Sequence, residues 1–113
     1  MEVATTVSNT YDAAIEACAR CSQACLEAFE ACMSNPGLES RAKAVKMLVE
    51  CARACDTAAG EMASNAVFAR EYAKICASVC ELCAKNCDMF RDDHCRLCAE
   101  ECRACAKECR DIA

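Results

Sequence analysis

Residues 95–109 read CRLCAEECRACAKEC, and cysteine returns in this stretch at intervals of three, four, three and four residues. Side chains three and four residues apart lie on one face of an α-helix, about 5–6 Å apart at Cβ. The stretch is therefore predicted to form a helix with one face composed almost entirely of thiols.

The same spacing occurs in three other parts of the chain. The repeats contain Cys18, Cys21, Cys25 and Cys32; Cys51 and Cys55; Cys76, Cys80, Cys83 and Cys87; and, in the last stretch, Cys95, Cys98, Cys102, Cys105 and Cys109. Four amphipathic segments joined by short turns are typical of an antiparallel up-down-up-down bundle. We therefore expect an all-α, four-helix bundle with a cysteine-lined core.

Composition favours the same fold. The 113 residues include two glycines, one proline and no tryptophan, and good helix formers are abundant. A chain of this length is expected to form a single domain, here 1–113, with a loose polar segment over residues 1–8. Side chains expected to complete the core without metal are Ile15, Phe29, Leu48, Phe68, Leu82, Phe90 and Leu97.

Turn and capping residues predict where the helices end. Ser8 or Asn9 is predicted to cap helix 1, with Asp12 in its first turn. The run 34–37, which contains Pro36, is predicted to end helix 1. Helix 2 is expected to begin within 38–41. Asn65 is predicted to cap helix 3, and Asp92 or Asp93 to cap helix 4.

Several classes of partner are disfavoured. The net charge is −5, and the chain has no basic run or aromatic platform for nucleic acid. No apolar run approaches the ~20 residues that span a bilayer. The first residues lack the basic and apolar regions of a secretory signal, so a cytosolic location is expected.

A native disulfide framework is also disfavoured. The fifteen cysteines are an odd number, which leaves at least one thiol unpaired. Neighbours on one helix face are about 5–6 Å apart at Cβ, whereas a disulfide needs about 3.8 Å. Disulfides between helices remain geometrically possible.

A core of cysteine and alanine is unusual if stability is its only purpose. Each methylene lost relative to leucine or isoleucine forfeits ~0.8 kcal/mol of burial, and thiols are open to oxidation. One or two cysteines could be ordinary core residues, but fifteen indicate that the interior binds something.

Charge and geometry favour Cu(I) as the bound species. Thiolates select Cu(I), Zn(II) or iron–sulfur clusters. One monovalent cation per thiolate leaves the interior neutral, whereas Zn(II) held by four thiolates leaves −2 at each site, which is costly to bury. Two thiols on one helix face can hold low-coordinate Cu(I), but a tetrahedral site needs four converging sulfurs. Zinc binding remains an alternative. Iron–sulfur binding is another, although the ferredoxin cysteine run is absent.

Residues 76–90, CASVCELCAKNCDMF, and residues 94–109, HCRLCAEECRACAKEC, resemble the bacterial copper storage proteins. The resemblance extends from Cys18 onward. It implies a cysteine-lined four-helix bundle that coordinates many Cu(I) ions, assembles into tetramers and, in members without a signal, is cytosolic. The chain departs from the family pattern in two places. Helix 2 contains only Cys51 and Cys55, and Phe29 stands where a sulfur would continue the cysteine stripe of helix 1. A lower copper capacity than that of relatives is therefore expected.

One end of the bundle is expected to admit copper. In an up-down bundle, Met33, Met89 and His94 fall near the same end, and they are candidate ligands together with the fifteen cysteines. The opposite end is expected to be plugged by Tyr11, Phe68, Tyr72 and Ile112. A single histidine cannot serve fifteen candidate nucleophiles, so no enzyme is predicted. A thiolate-centre electron carrier is the alternative of another class.

Overall fold

The computed structural model describes residues 9–35 and 37–112. The helices are α1, Asp12–Met33; α2, Ala42–Ala63; α3, Ala69–Cys87; and α4, Asp93–Ile112, with a short 3-10 helix, Leu38–Arg41, leading into α2. No strand occurs in these ranges. The segment 1–8 and Pro36, for which the sequence made predictions, lie outside the described residues, and the single domain over 1–113 stays a prediction.

The four helices form a closed ring in which each packs against two neighbours, in the order α1, α2, α3, α4 and back to α1. Successive helices run in opposite directions. Cys18, near the start of α1, lies 3.8 Å from Cys109, near the end of α4, measured between Sγ atoms. The predicted antiparallel four-helix bundle is confirmed.

Cysteine and alanine fill the interior. All fifteen cysteine side chains are buried, and the only fully buried described side chains larger than cysteine are Leu48 and Met62. Both belong to α2, which contributes only two thiols. The helix with the fewest sulfurs therefore supplies the bulkiest apolar groups, which compensates in volume for the thiols it lacks.

Three other predicted core residues lie at the surface. Phe68 is 61% exposed, and the side chains of Leu82 and Leu97 are also about half exposed, at 49% and 47%. In contrast, Ile15, Phe29 and Phe90 pack against the core from its flanks. The bundle interior is narrow, and the cysteine stripe of each helix already fills it, so larger apolar side chains are displaced outward.

The first helix begins later than the capping prediction placed it. Ser8 is not among the described residues. Asp12 Oδ2 accepts a hydrogen bond from the Asn9 N–H at 3.2 Å, and Asn9 Oδ1 accepts one from the Tyr11 N–H at 2.7 Å, so Asn9 caps the turn that leads into the helix. The second of these bonds closes a turn of the Asx type. Helix α1 starts only at Asp12, in the first-turn position that the sequence predicted.

Asn65 ends one helix and does not begin the next, so the prediction that it caps helix 3 is wrong. Its φ is +52°. The Asn65 N–H bonds to the Met62 carbonyl and the Ala66 N–H to the Glu61 carbonyl, the pair of bonds that defines a Schellman motif. Asparagine tolerates this left-handed conformation better than most residues. Helix α3 starts four residues later, at Ala69.

The side chains at the end of the bundle opposite the 3-10 helix agree only in part with the predicted plug of Tyr11, Phe68, Tyr72 and Ile112. Tyr11 and Met62 are buried there, and Ile112 is partly buried and packs against the core. Phe68 and Tyr72 are exposed and contribute no plug. Phe68 immediately precedes α3, and Tyr72, in the first turn of α3, lines a groove on the outside of α2 and α3.

Candidate metal-binding site

Sulfur atoms form a continuous chain along the bundle interior. Sγ atoms on different helices approach to 3.6 Å at Cys21 and Cys102, at Cys25 and Cys98, and at Cys18 and Cys105. Pairs on one helix are only slightly farther apart, at 3.9 Å for Cys76 and Cys80. The three-four spacing of each helix therefore interleaves with that of its neighbours.

Thiols converge in four groups of four, and within each group all Sγ atoms lie within 4.8 Å of one another. The groups consist of Cys18, Cys76, Cys105 and Cys109; Cys21, Cys55, Cys80 and Cys105; Cys21, Cys25, Cys51 and Cys102; and Cys25, Cys83, Cys98 and Cys102. Each group draws on at least three helices. The bundle geometry, not any one helix, assembles these sites.

Neighbouring groups share sulfurs. Cys105, Cys21, Cys25 and Cys102 each belong to two groups. A metal ion bound in one group therefore lies beside the next group, with a thiolate available to both. Such an arrangement suits many ions bridged by common thiolates better than a few isolated centres.

The sequence left zinc sites between helices open as an alternative, because a tetrahedral ion needs four converging sulfurs. Neighbouring helices in the ring bring four thiols together at each of these groups. Geometry thus accommodates Zn(II) as well as Cu(I). Charge still separates the two ions, because four thiolates around Zn(II) leave a net negative charge in a dry interior.

All fifteen cysteines are free thiols. The shortest separations of 3.6 Å between Sγ atoms are well above the ~2.05 Å of an S–S bond. The interior therefore presents fifteen potential ligand sulfurs.

Hydrogen bonds between buried thiols push their pKa values apart. A hydrogen bond with Cys105, followed by one with Cys109, lowers the pKa of Cys18 to about 5. The pKa of Cys102 is instead raised, first by hydrogen bonding with Cys21 and also by burial. Since a metal binds the thiolate, uptake by thiols such as Cys102 must release protons.

A fifth group lies at the end of the bundle where α1 ends and α4 begins. Cys32, Cys95 and one ring nitrogen of His94 lie within 4.8 Å of one another. His94 Nε2 is shielded from water and 3.3 Å from Asp92 Oδ2, but forms no well-oriented hydrogen bond with any described residue. A buried nitrogen without a partner is available as a ligand. We call Cys32, His94 and Cys95 the outer group.

Arg41 covers the outer group, and the sequence did not single it out. Its Nη1 lies 3.9 Å from Cys32 Sγ and 3.7 Å from Cys95 Sγ. Asp92 accepts two hydrogen bonds from the same guanidinium, at 2.7 and 2.8 Å, and the Phe90 ring centre is 4.4 Å away. The sequence did contain one indication of this contact, since the turns before helices 2 and 4 share one end of an up-down bundle.

Burial in the outer group raises the pKa of Cys95 to about 12. The charges of Cys32 and Asp92 add to this effect, whereas that of Arg41 opposes it. Hydrogen bonding to Arg41 lowers the pKa of the Asp92 carboxyl below its usual range. Asp92, a predicted helix cap, is thus an ionised partner of Arg41.

The two candidate methionines are not drawn into the outer group. Met33 is 49% exposed and Met89 75% exposed. Met89 lines a shallow groove between α2 and α3 together with Lys43, Leu82 and Lys85. Their assignment as ligands stays a prediction, with less geometric support than that of His94.

Two further interior positions need comment. Cys87 is buried but belongs to none of the five groups. Ala28, not Phe29, occupies the buried position between Cys25 and Cys32 on α1, and Phe29 is only half-buried on the flank. The gap in the first sulfur stripe is therefore an alanine, so space rather than an aromatic ring replaces the missing thiol.

Known proteins are similar to this chain in both sequence and fold. A family model described as "Copper storage protein" matches residues 7–113. The uncharacterized cysteine-rich protein YhjQ of Bacillus subtilis (strain 168) is 34% identical over 72 residues, which are 64% of this chain and 67% of that protein.

Solved structures are similar over nearly the whole length. The Cu(I)-bound copper storage protein BsCsp3 is 34% identical with a TM-score of 0.88, covering 92% of this chain and 99% of that one. A cytosolic copper storage protein from Streptomyces lividans, with five coppers, is 32% identical with a TM-score of 0.85, covering 90% of each chain. Separately, none of the helices in the described ranges has the length and apolar character needed to cross a bilayer.

Proposed function

Because this chain belongs to the copper storage protein family, we propose that it stores Cu(I), with many cuprous ions held by thiolates inside the bundle. The observation that carries this proposal is the set of fifteen buried thiols, twelve of which lie in four overlapping groups along the bundle. Cu(I) in the BsCsp3 structure and five coppers in the Streptomyces lividans structure support it.

The interior suits a monovalent soft cation for two reasons. Thiolates prefer soft ions, and one positive charge for each thiolate leaves a low-dielectric interior neutral. Neighbouring ions can share a sulfur, since four cysteines each belong to two groups. We propose that all fifteen cysteines and His94 act as ligands, and that an interior with so many metal sites serves as a store rather than as a catalyst.

Copper is proposed to enter at the outer group. The opposite end is closed by Tyr11, Met62 and Ile112, whereas the outer group contains a partly exposed histidine beside two thiols. An imidazole binds Cu(I) less tightly than a thiolate, so His94 could accept the ion and pass it to Cys32 and Cys95.

The bundle is proposed to assemble into a homotetramer, as the family resemblance implies. Apolar side chains on the outside, including Val67, Ile75, Leu82 and Leu97, support a subunit interface, since exposed apolar patches commonly mark one. Sedimentation velocity of the reduced protein tests this: a monomer at micromolar concentration contradicts it.

A cytosolic location is proposed for the protein. Free thiols persist in a reducing compartment, and all fifteen cysteines are free. The Streptomyces lividans relative is itself described as cytosolic. Fractionation of cells that express the native gene, with thiol labelling before lysis, tests the location.

Zinc buffering is the second candidate, because the four-thiol groups also suit a tetrahedral ion. Anaerobic competition distinguishes the two. The protein is loaded with Zn(II), then titrated with Cu(I) in the presence of chelators selective for each metal. Storage of Cu(I) predicts complete release of zinc. Retention of zinc against excess Cu(I) favours buffering and contradicts the proposal.

A further inference from the structure

Arg41 is the described cationic side chain that contacts the thiols of the outer group, where copper is proposed to enter. Its Nη1 lies 3.9 Å from Cys32 Sγ and 3.7 Å from Cys95 Sγ, and only 15% of its side chain is exposed. A guanidinium in this position donates to sulfur, and it donates more strongly to a thiolate than to a thiol.

The guanidinium is held in place from two sides. Asp92 accepts a pair of nearly parallel hydrogen bonds, at 2.7 and 2.8 Å, and the Phe90 ring lies 4.4 Å below the guanidinium carbon. Such two-point fixing limits the freedom of an otherwise flexible side chain. Arg41 is therefore directed at Cys32 and Cys95 before any metal arrives.

The positive charge of Arg41 matters because copper binding creates a negative centre beside it. When two thiols bind one Cu(I), two protons leave to solvent, and the resulting bis-thiolate centre has a net charge of −1. A negative centre is costly where water is largely excluded. Asp92 adds a further negative charge 3.3 Å from His94 Nε2. Among the described side chains hydrogen-bonded to these two thiols, only Arg41 carries a positive charge.

We infer that Arg41 is a positioning residue for copper loading, which stabilises the anionic Cu(I) centre formed by Cys32 and Cys95 as the ion enters. The inference rests on the proposed loading end. It predicts that removing the positive charge slows uptake. If Arg41 instead blocked the opening, its removal would accelerate uptake, so the two roles have opposite signs.

Rates of transfer of the first Cu(I) equivalent from a Cu(I)–bicinchoninate complex, measured anaerobically by stopped flow, test this inference. Arg41→Gln should slow transfer by about tenfold, the loss expected for one charge-assisted hydrogen bond. Arg41→Lys keeps the charge and should stay within about threefold of the parent. Equal or faster transfer by Arg41→Gln overturns the inference, as does equal slowing by Arg41→Lys.

Arg96→Gln is the matched control. Arg96 belongs to the same end of the bundle and pairs with Asp93 at 3.1 Å, but its side chain is 67% exposed and faces solvent. This variant removes the same charge and an ion pair without touching the thiols. Its rate should equal that of the parent. Slowing as large as that of Arg41→Gln would mean that net charge alone attracts the anionic chelate, which also overturns the inference.

Asp92→Asn separates charge from mechanical support. It removes the negative charge of the ion pair but keeps a side-chain oxygen that accepts a hydrogen bond from Arg41, and the Phe90 ring still contacts the guanidinium. The guanidinium therefore stays beside the thiols, and transfer should be no slower than in the parent. Slowing of about tenfold relative to the parent would assign the effect to the ion pair and overturn the inference. This outcome is defined against the parent alone, so it holds even if Arg41→Gln does not fold. Final copper content of the parent is read from the same samples. A parent that takes up no Cu(I) contradicts the proposed function instead.

Discussion

The Sγ atoms of Cys21 on α1 and Cys102 on α4 lie 3.6 Å apart, and each of these sulfurs also belongs to a second thiol group along the bundle. No apolar layer therefore separates one group of four thiols from the next. Ions bound in adjacent groups would share thiolates, and the interior would fill as one connected array.

This sharing makes cysteines unequal in their effect on copper capacity. Cys102→Ala should lower the capacity by about two Cu(I) ions, because its sulfur serves two groups of soft ligands. Cys87→Ala is the matched control, since Cys87 is equally buried but belongs to no group, and it should lose about one ion or none. Capacity is measured by anaerobic titration. Equal losses in the two variants would refute the shared arrangement.

The reduced bundle should fold without metal, because its interior thiols are apolar enough to form a core. Leu48→Ala, at a fully buried position, should reduce the free energy of unfolding by about 2–5 kcal/mol. Leu97→Ala, at a position 47% exposed, should change it by less than about 0.5 kcal/mol. Urea denaturation followed by circular dichroism, at a concentration where subunits are separate, gives both values. A metal-free parent that is mostly coil contradicts this expectation.

Alkaline pH should destabilise the metal-free protein. Burial raises the pKa of Cys95 from 9.0 to about 12, so between these values the folded state keeps a proton that the unfolded state loses. Stability is then full below pH 9 and falls as the pH rises towards 12, by about 1.4 kcal/mol per pH unit for each such thiol.

Thermal unfolding under reducing conditions between pH 8 and 11 measures this dependence. Cys95→Ala should flatten the slope, since the titrating thiol is removed. Copper-loaded protein should show less dependence, because its sulfurs are already thiolates. A parent whose stability is constant across this range would show that the buried thiols ionise as freely as in the unfolded chain.

The proposed entry of copper at the outer group can be tested with two substitutions, for which the structure predicts different loading rates. His94→Ala should slow transfer of Cu(I) from a chelate by about tenfold, or roughly 1.4 kcal/mol of barrier stabilisation, because His94 lies within 4.8 Å of two thiols. Met89→Leu should leave the rate unchanged, since Met89 lines an outer groove. Both variants should reach nearly the same final copper content. The assignment of His94 fails if the two variants load at the same rate.

The cysteine spacing was sufficient to predict the bundle and the direction in which each thiol points. A period of three and four residues leaves only one helix face for Cys95 through Cys109, and short turns permit only antiparallel neighbours. Burial of all fifteen thiols followed from these two constraints.

Features that depend on contacts between helices could not be predicted. The convergence of four thiols depends on the axial offset of neighbouring helices, which the spacing within one helix does not contain. Arg41 reaches Asp92 across 51 residues of sequence, so neither residue alone indicated the pair. Asn65 could favour a cap or a left-handed turn, and only the chain path decides between them.

Anaerobic titration of the fully reduced protein with Cu(I), with thiols counted in the same sample, tests the storage proposal most directly. The account predicts saturation at about fifteen Cu(I) per chain, one for each thiol, because a neutral interior requires that ratio. Saturation at about three or four metal ions per chain would instead indicate separate tetrahedral centres, and would contradict the proposal that the bundle stores Cu(I).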